Sequence, residues 1–257
     1  NNRLEKAVCA FGADRFLYYN NFKKCRDFIK KSRNYMMCIR RGSLKMRVDL
    51  LIKGSSVFNV YRKRFENVDV AVIGDTFAYV GAPLADIQAK EELDGSRKYL
   101  IPGFVDIHLH IESTMLTPAE FSAGIITHGT TTAVTDPHEI ANVFGLEGVE
   151  TMMAMADGPA DIFYGIPSSV PSTPFETTGG KFGPEEVKAL LKNPKALCLG
   201  EVMNFHELAA EGETNTKNLI QAMRDVRPRP IIEGHCPKLT GLDLQKFLYA
   251  GVDADHT

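Results

Sequence analysis

The stretch YLIPGFVDIHLHIEST, residues 99–114, marks the point at which the sequence pattern changes and decides the fold. Its apolar run carries four polar side chains at a spacing of two, Asp106, His108, His110 and Glu112. Successive side chains of a strand alternate between its two faces, so this spacing would place all four on one face. Two interpretations follow, a metal site or the polar face of a strand that lies against solvent.

Downstream of this stretch, short apolar runs alternate with amphipathic segments. The runs typical of strands are YLIPGFVDIHLHI, TTAVTDPHE, ADIFYGIPSSV, ALCLGEVMNF, PIIEGHCP and GVDADHT. The segments with helical periodicity are PAEFSAGIITHG, FGLEGVETMMAMADG, GPEEVKALLKNP, TKNLIQAMRDVR and TGLDLQKFLYAG. This alternation predicts an α/β fold with a parallel sheet. An open doubly wound sheet and a (β/α)8 barrel that stops before its last two units both fit six strands.

Polar side chains gather where the predicted strands end. In parallel α/β folds, functional residues lie at the carboxyl ends of the strands. Five of the seven histidines fall at these ends, together with several carboxylates. The residues concerned are His108, His110, Asp136, His138, Glu139, Glu201, Glu233, His235, Asp253, Asp255 and His256. Imidazole and carboxylate groups that converge on one rim are ligands that suit Zn, Mn and Fe, which favours the metal interpretation.

The chemistry expected of such a rim is hydrolytic. Because no cysteine is among the candidate ligands, a catalytic site with an open position is favoured over a structural zinc site. Two divalent ions about 3.5–4 Å apart lower the pKa of water, which then becomes a nucleophile at neutral pH. A carboxylate such as Glu201 would hold the pair together, and a carboxylate acid or base would move the proton. The predicted reaction is attack of water on an electrophilic carbon, with nitrogen or oxygen leaving.

The bulk composition excludes several classes of protein. The 257 residues are 44% hydrophobic and 24% charged, with a net charge of -2, so no general affinity for nucleic acid or anionic membranes is expected. No apolar run approaches the ~20 residues of a membrane span, and the first residues lack the layout of a secretory signal. The five cysteines are scattered without C-x-x-C spacing, which favours a reduced, cytoplasmic location.

The sequence predicts three regions along the chain. Residues 1–44 are a basic extension in which FKKCRDFIKKSRNYMMCIRRGSL fits a nucleic-acid arm or a solvated helix, and apolar residues at helical spacing favour the helix. Residues 45–98 predict three or four short antiparallel strands, with a hairpin at Gly74–Asp75, in part of a small β-domain. Residues 99–257 hold the six β/α units.

Five motifs together resemble a known family. They are PGFVDIHLHIEST, TDPHEIANVFG, GEVMNF, EGHCP and AGVDADHT, and they are similar to the N-terminal half of bacterial-type adenine deaminases, which belong to the amidohydrolase superfamily. The first motif indicates the superfamily, whereas DPHEIANV combined with GEVMNF and EGHCP is much more specific. The similarity extends from roughly Val48 to Thr257.

The resemblance implies a fold, a cofactor and a ligand set. The fold is a (β/α)8 TIM-type barrel, here truncated after about strand 6, preceded by part of a small β-sandwich domain. The cofactor is a binuclear divalent metal centre, with Mn or Fe favoured over Zn. In the implied ligand set His108 and His110 bind one ion, Glu201 bridges both ions, and His235 and His256 bind the other. Glu201 and His235 are the implied catalytic residues.

The resemblance also implies a reaction and its partners. Water and adenine would give hypoxanthine and ammonia, in purine salvage or adenine catabolism. Asp106, Glu112, His138 and Glu139 would serve the substrate or surround the ligands. The partner is a small-molecule purine, with neither nucleic acid nor membrane, and a homo-oligomer is compatible with this reading.

The sequence departs from the family at its end. The last barrel strand of the superfamily supplies an Asp that binds metal and moves protons, and the sequence stops before that strand. We therefore expect a fragment that is inactive alone, from a parent deaminase, and residues 1–44 match the family poorly. Three alternatives are another amidohydrolase that acts on a cyclic amide or N-acetyl group, a non-catalytic protein on a barrel scaffold, and a nucleic-acid-binding protein.

Overall fold

The computed structural model describes residues 16–19, as backbone only, and residues 46–256. Apart from the backbone of residues 16–19, the prediction of a basic extension over residues 1–44 lies outside the described residues. The described chain falls into two compact units. The first comprises 16–19, 46–104 and 125–131, and the second comprises 105–124 and 132–256.

Six strands form the sheet of the first unit. They are β1 (Phe16–Tyr19), β2 (Met46–Asn59), β3 (Arg64–Ile73), β4 (Thr76–Gly81), β5 (Ile87–Asp94) and β6 (Tyr99–Pro102). Their order is β1-β6-β2-β3-β4, and β5 pairs with β2 beside this path. Alternating apolar positions of these strands are buried together, as expected for a sheet with one face in a core. The buried cluster consists of Leu50, Ile52, Val57, Val70, Val72 and Leu100.

The predicted hairpin at Gly74–Asp75 is confirmed, because β3 and β4 pair antiparallel up to Ile73 and Thr76 on either side of it. Gly74 has a φ of 60°, which glycine adopts without a steric penalty. The prediction that all strands of this region are short and antiparallel is wrong. β2 is 14 residues long, and β5 pairs with it in parallel. Alternation of apolar residues is the same in either direction, so the pattern does not reveal strand direction.

The stretch YLIPGFVDIHLHI, predicted as one strand, is two strands in the structure. β6 ends at Pro102 and belongs to the first sheet, whereas the next strand begins at Phe104 and belongs to the second. Proline cannot donate to a sheet ladder, which favours a break at this point. Gly103 also approaches Thr131 so closely that a Cβ would lie 2.2 Å from its side chain, so only glycine fits.

The second sheet also has six strands. They are β7 (Phe104–Leu109), β8 (Thr130–Thr135), β9 (Asp161–Ile166), β10 (Ala196–Val202), β11 (Ile232–Gly234) and β12 (Ala254–Asp255). Their order is β12-β11-β10-β9-β8-β7, and the pairs from β8 to β12 are all parallel. Strands that are consecutive in the chain are therefore neighbours in a parallel, curled sheet. This is the arrangement of a TIM-type barrel, so the predicted fold class is confirmed.

Helices connect these strands. They are α1 (Pro118–Ile126), α2 (His138–Ala154), α3 (Pro184–Leu190), α4 (Phe205–Ala209), α5 (Asn215–Val226) and α6 (Gly241–Tyr249). The sequence pattern missed α4, whose five residues are too few for a periodicity; it begins after Asn204, whose side chain accepts a hydrogen bond from the Glu207 N–H. Among the described residues, no helix combines the length and apolar character that crossing a membrane requires.

Candidate metal centre

Glu201 lies on one of the two middle strands of the second sheet. It lies on β10, where six of seven residues are buried, and its carboxylate is only 5% exposed. Its main-chain carbonyl accepts hydrogen bonds from the hydroxyls of Ser168 and Ser169, both at 2.9 Å. The Ser169 hydroxyl in turn accepts a hydrogen bond from the Met203 N–H at 3.2 Å. The backbone that carries this carboxylate is therefore held on both sides.

Four histidines surround the Glu201 carboxylate. Its Oε1 atom lies 2.8 Å from His108 Nε2, 3.3 Å from His256 Nε2 and 3.3 Å from His110 Nε2. Its Oε2 atom lies 3.1 Å from His138 Nδ1. His108 lies on β7, and His110 follows that strand. His256 follows β12, and His138 is the first residue of α2. The ends of these elements therefore converge on one point.

The donor atoms form two groups that share Glu201. One group contains His108, Glu201 and His256, and the other contains His110, His138 and Glu201; within each group the candidate atoms lie within 4.8 Å of one another. Imidazole nitrogen with carboxylate oxygen suits Zn, Mn or Fe, so the residues fit a pair of divalent ions with one bridging carboxylate. The grouping differs from the implied ligand set, because His108 lies with His256 and His110 lies with His138.

His235 lies at the open side of this cluster. It follows β11, and its N–H donates to the Val202 carbonyl at 3.1 Å. Its Nδ1 atom is 4.0 Å from Glu201 Oε1 and 2.9 Å from His256 Nε2, and its side chain is 36% exposed. Among the predicted ligands it is therefore the one most open to a small molecule.

The charged groups of the cluster shift one another's pKa values. Burial disfavours charge on His108, but hydrogen bonds with Glu201 and Glu233 outweigh burial and raise the pKa of His108 to about 10. Burial likewise opposes charge on His138, and its contacts with Asp136 and Glu201 raise the pKa of His138 to about 10. Burial would raise the pKa of Glu201, yet hydrogen bonds from the surrounding histidines hold that pKa far below its usual range. Protons therefore compete with cations for these donors.

Asp136 is a buried carboxylate that the ligand prediction did not include. It is 1% exposed, and neither carboxylate oxygen accepts a hydrogen bond from any described residue. His138 Nδ1 is 3.7 Å from Asp136 Oδ1, which is longer than a hydrogen bond. A Cβ on Gly200 would lie 2.1 Å from Asp136 Oδ2, so a glycine is needed to make room for the carboxylate. Burial raises the pKa of Asp136.

Glu233 lies behind the first donor group. Its Oε1 atom is 2.9 Å from His108 Nδ1 and 3.2 Å from His256 Nδ1, and its side chain is 11% exposed. The sequence placed Glu233 at a strand end but gave it no role. Its signal was a single acidic residue within the apolar run PIIEGH, a pattern that also fits a surface strand.

Four predicted residues join neither donor group of the described chain: the predicted ligand His235 and three carboxylates. Asp106 Oδ1 accepts a hydrogen bond from the His108 N–H at 3.2 Å, and Glu139 Oε1 accepts one from the Ser113 hydroxyl at 2.9 Å. Glu112 Oε1 accepts one from the Ile140 N–H at 3.2 Å. These three carboxylates therefore accept hydrogen bonds from two main-chain N–H groups and one hydroxyl near the cluster, and they supply no donor atom to either group.

The expectation that Glu112 shares a strand face with His108 is wrong. β7 ends at Leu109, and Glu112 begins a short 3-10 turn, Glu112–Thr114. Burial raises the pKa of Glu112, and its Oε2 atom has no hydrogen-bond partner among the described residues. The spacing of two along the sequence therefore identified the histidines correctly as neighbours but extended the strand too far.

Comparison with known proteins gives close relatives. The profile described as the amidohydrolase family matches residues 99–239. An adenine deaminase of Clostridium perfringens is 48% identical over 215 residues, which are 82% of this chain and 37% of the relative. An adenine deaminase of Lactobacillus delbrueckii subsp. bulgaricus is 46% identical over 213 residues, which are 82% of this chain and 38% of the relative. The chain thus spans less than two fifths of the length of these curated relatives.

Solved structures with a similar fold are more distant in sequence. An N-acyl-D-glutamate deacylase from Bordetella bronchiseptica has a TM-score of 0.57 at 13% identity, covering 81% of this chain and 50% of that one. An L-hydantoinase from Arthrobacter aurescens has a TM-score of 0.51 at 17% identity, covering 73% of this chain and 40% of that one. At this identity the likeness concerns the fold alone. Because the family profile matches more than half of its residues, the chain belongs to the amidohydrolase family.

Proposed function

We propose that the protein is a metal-dependent aminohydrolase that converts adenine and water into hypoxanthine and ammonia. The observation that carries the chemistry is that one buried carboxylate, Glu201, is shared by two groups of metal-ligating side chains. The choice of adenine is supported by relatives named adenine deaminase that are 45–48% identical over 82% of this chain. Because the chain spans 37% of the length of such a relative, the activity is proposed for the whole protein.

The side chains of the centre would have distinct roles. Divalent ions at the two donor groups would supply Lewis-acid character and lower the pKa of water. The residues that would hold the ions are His108, His110, Glu201, His235 and His256, with Glu201 shared, and His138 lies close enough to Glu201 to contribute. In this proposal Glu201 and His235 are catalytic, and His235 is the group that meets the substrate because it lies on the open side, where it can donate or accept a proton.

Further features of the proposal go beyond the fold. We propose Mn or Fe as the ions, a free purine as the substrate, and a cytoplasmic role in purine salvage or adenine catabolism. The scattered cysteines support a reducing compartment. The proposed domains are a basic extension over residues 1–44, part of a β-sandwich over 45–98 and a barrel from 99 onwards. The proposal also includes the absence of nucleic-acid and membrane partners, and it is compatible with a homo-oligomer.

The proposal is tested with the full-length gene product. Metal content and ammonia release from adenine are measured for the wild type, His108→Ala and Glu201→Gln, with Glu92→Gln as a control because Glu92 is a surface carboxylate. We expect activity and metal to be lost in the first two variants and retained in the control. Retained activity in both variants would overturn the assignment. Turnover of hydantoin, dihydroorotate or N-acetylglucosamine phosphate instead of adenine would favour another amidohydrolase.

A further inference from the structure

The short 3-10 turn that follows β7 contacts the start of α2 at two points. Glu112 Oε1 accepts a hydrogen bond from the Ile140 N–H at 3.2 Å, and the Ser113 hydroxyl donates to Glu139 Oε1 at 2.9 Å. Glu112 and Ser113 belong to the turn, whereas Glu139 and Ile140 lie in the first turn of α2. Side chains therefore join two motifs whose contacting residues are 26 and 28 positions apart in the sequence.

The start of α2 lacks a cap from the residue that precedes it. That residue is Pro137, which makes no side-chain cap hydrogen bond. The Ala141 N–H donates to the Pro137 carbonyl at 3.1 Å, and the N–H groups before Ala141 have no acceptor within the helix. Glu112 supplies an acceptor for one of them, the Ile140 N–H. A carboxylate at this place is also attracted by the partial positive charge of the helix N-terminus.

A break in α2 makes this contact more important. Gly145 has φ 61° and ψ -145°, which are not helical, so the residues of α2 before it form a separate segment of about two turns. Such a break interrupts the hydrogen-bond ladder, and the rest of the helix no longer fixes the direction of its first turns. The Asn142 carbonyl accepts from the Gly179 N–H at 2.7 Å toward the far end of the segment, and Glu112 holds the near end.

His138 is the first residue of this segment, and its ring faces the centre. Its Nδ1 atom lies 3.1 Å from Glu201 Oε2, and its side chain is 18% exposed. The N–H that Glu112 accepts belongs to Ile140, two residues further along the same helical turn. A displacement of this turn by about 1 Å would move the ring beyond hydrogen-bond distance of Glu201. The contact at Ile140 therefore controls the approach of His138 to Glu201.

We propose that Glu112 is a positioning residue that caps α2 from the neighbouring strand end and so holds the His138 ring beside Glu201. This inference deepens the proposed function and rests on it for the use of the centre. The hydrogen bond from α2 to Glu112 itself depends neither on a metal nor on adenine. Glu112 acts through the helix, and no contact with the substrate is required of it.

The first test measures amide hydrogen exchange in the full-length protein by mass spectrometry, in peptides that contain Ile140. The variants are Glu112→Gln, whose amide oxygen still accepts an N–H, and Glu112→Leu, which accepts none. Because the loss of a helix cap corresponds to roughly fivefold in an opening equilibrium, we expect exchange at Ile140 to be about fivefold faster in Glu112→Leu and close to wild type in Glu112→Gln. Thr214→Ala is the matched control, because Thr214 caps α5 through the Lys217 N–H.

The second test is a double-mutant cycle on ammonia release from adenine, with Glu112→Leu, His138→Ala and both changes together. A displaced ring should lower kcat about 10-fold in Glu112→Leu, with KM within about twofold of wild type. If Glu112 acts through His138, the double variant is no slower than His138→Ala alone, within about twofold. Glu112→Gln should restore most of kcat. Thr214→Ala loses a helix cap as well and should keep the wild-type kcat.

The outcomes separate the inference from the proposed function. Unchanged exchange at Ile140 in a folded Glu112→Leu protein would overturn the cap, and additive losses in the cycle or full activity of His138→Ala would overturn the role given to His138. If Glu112→Leu does not fold, Glu112→Asp takes its place, because its carboxylate is one methylene too short to reach the same N–H. A wild-type protein that releases no ammonia from adenine would overturn the proposed function, while the exchange measurement would still decide the cap.

Discussion

An ion pair of the first sheet and the carboxylate–histidine cluster of the second sheet lie in opposite environments. In the first sheet, Lys53 on β2 and Glu92 on β5 pair at 2.6 Å with side chains 51% and 52% exposed. In the second sheet, Glu201 and Glu233 are almost fully buried and face histidines. Exposed pairs of the first kind contribute roughly 0–1 kcal/mol. A buried carboxylate is costly unless it is paired, and a buried carboxylate surrounded by histidines in the second sheet therefore marks a candidate site.

The largest effect should come from removing the shared carboxylate of the second sheet. Glu201→Gln keeps the shape of the side chain but removes the charge between the two donor groups. For the deamination proposed for the full-length protein, loss of several kcal/mol of electrostatic stabilisation corresponds to a fall on the order of 1000-fold in the rate of ammonia release. Initial-rate assays on protein with measured metal content check this. A rate within tenfold of the wild-type rate would show that the buried Glu201 is not essential, contrary to the contrast drawn with the exposed ion pair of the first sheet.

A large effect of another kind is expected in the core of the first sheet. Ile52 is fully buried, and Ile52→Ala removes apolar contacts that hold β2 in its cluster. The free energy of unfolding should fall by about 2–5 kcal/mol, measured by denaturant titration. Metal content of the folded variant should stay at the wild-type value. A change in metal stoichiometry would show that the first sheet also serves the site.

An intermediate effect should follow from filling the space beside Asp136. In Gly200→Ala the new Cβ would lie 2.1 Å from Asp136 Oδ2, so the carboxylate or β10 must move. Overpacking of this kind costs about 1–3 kcal/mol of stability, and metal affinity should fall with it. Gly124→Ala is the control, because its Cβ would meet no atom within 4 Å. If both variants unfold at the same denaturant concentration, the tight fit around Asp136 is not a constraint.

A smaller effect is expected from pH on the metal-free protein. The pKa values of His108 and His138 are raised to about 10, so in the folded state both rings keep protons that the unfolded state loses above about pH 6.5. This stabilisation is complete below pH 6.5 and declines as pH rises toward 10. The Tm of chelator-treated protein should therefore fall by a few degrees between pH 7 and 10. A constant or rising Tm over that range would contradict the ion pairs with Glu201.

The smallest effect should be found at the exposed pair of the first sheet. Lys53→Ala removes the partner of Glu92, and both side chains are already half in water. The free energy of unfolding should change by less than about 1 kcal/mol, and the change should vanish at high salt. A larger loss of unfolding free energy would show that the Lys53–Glu92 pair stabilises the first sheet more than an exposed ion pair usually does.

Much of the fold could be predicted because its signals are local. The alternation of apolar runs and amphipathic segments predicted six strands from residue 99 onwards, and the second sheet has six strands that begin at residue 104. Glycine at position 74 predicted the hairpin. The parallel pairing of β5 with β2 could not be predicted, since it depends on which free edge of β2 the chain returns to. The break at Gly103 was hidden because the apolar pattern continues across it.

The candidate site was only partly accessible from sequence. His108, His110, Glu201 and His256 were selected because they end strands, and the structure brings them together. His138 was assigned a lesser role, because its approach to Glu201 depends on where α2 begins. Glu233 could not be told from any other acidic residue in an apolar run. Its partners come from strands distant in sequence, and that proximity is a property of the folded sheet.

The approach of His108 to His256 also describes the curvature of the second sheet. His108 lies on β7 and His256 follows β12, the two edge strands of the six, yet their ring centroids are 3.7 Å apart. A metal centre that took ligands from both edge strands would link points about 150 residues apart in the chain. Closing a loop of that length in the unfolded ensemble is worth on the order of 5 kcal/mol. Binding of metal would then stabilise the curled form of the second sheet.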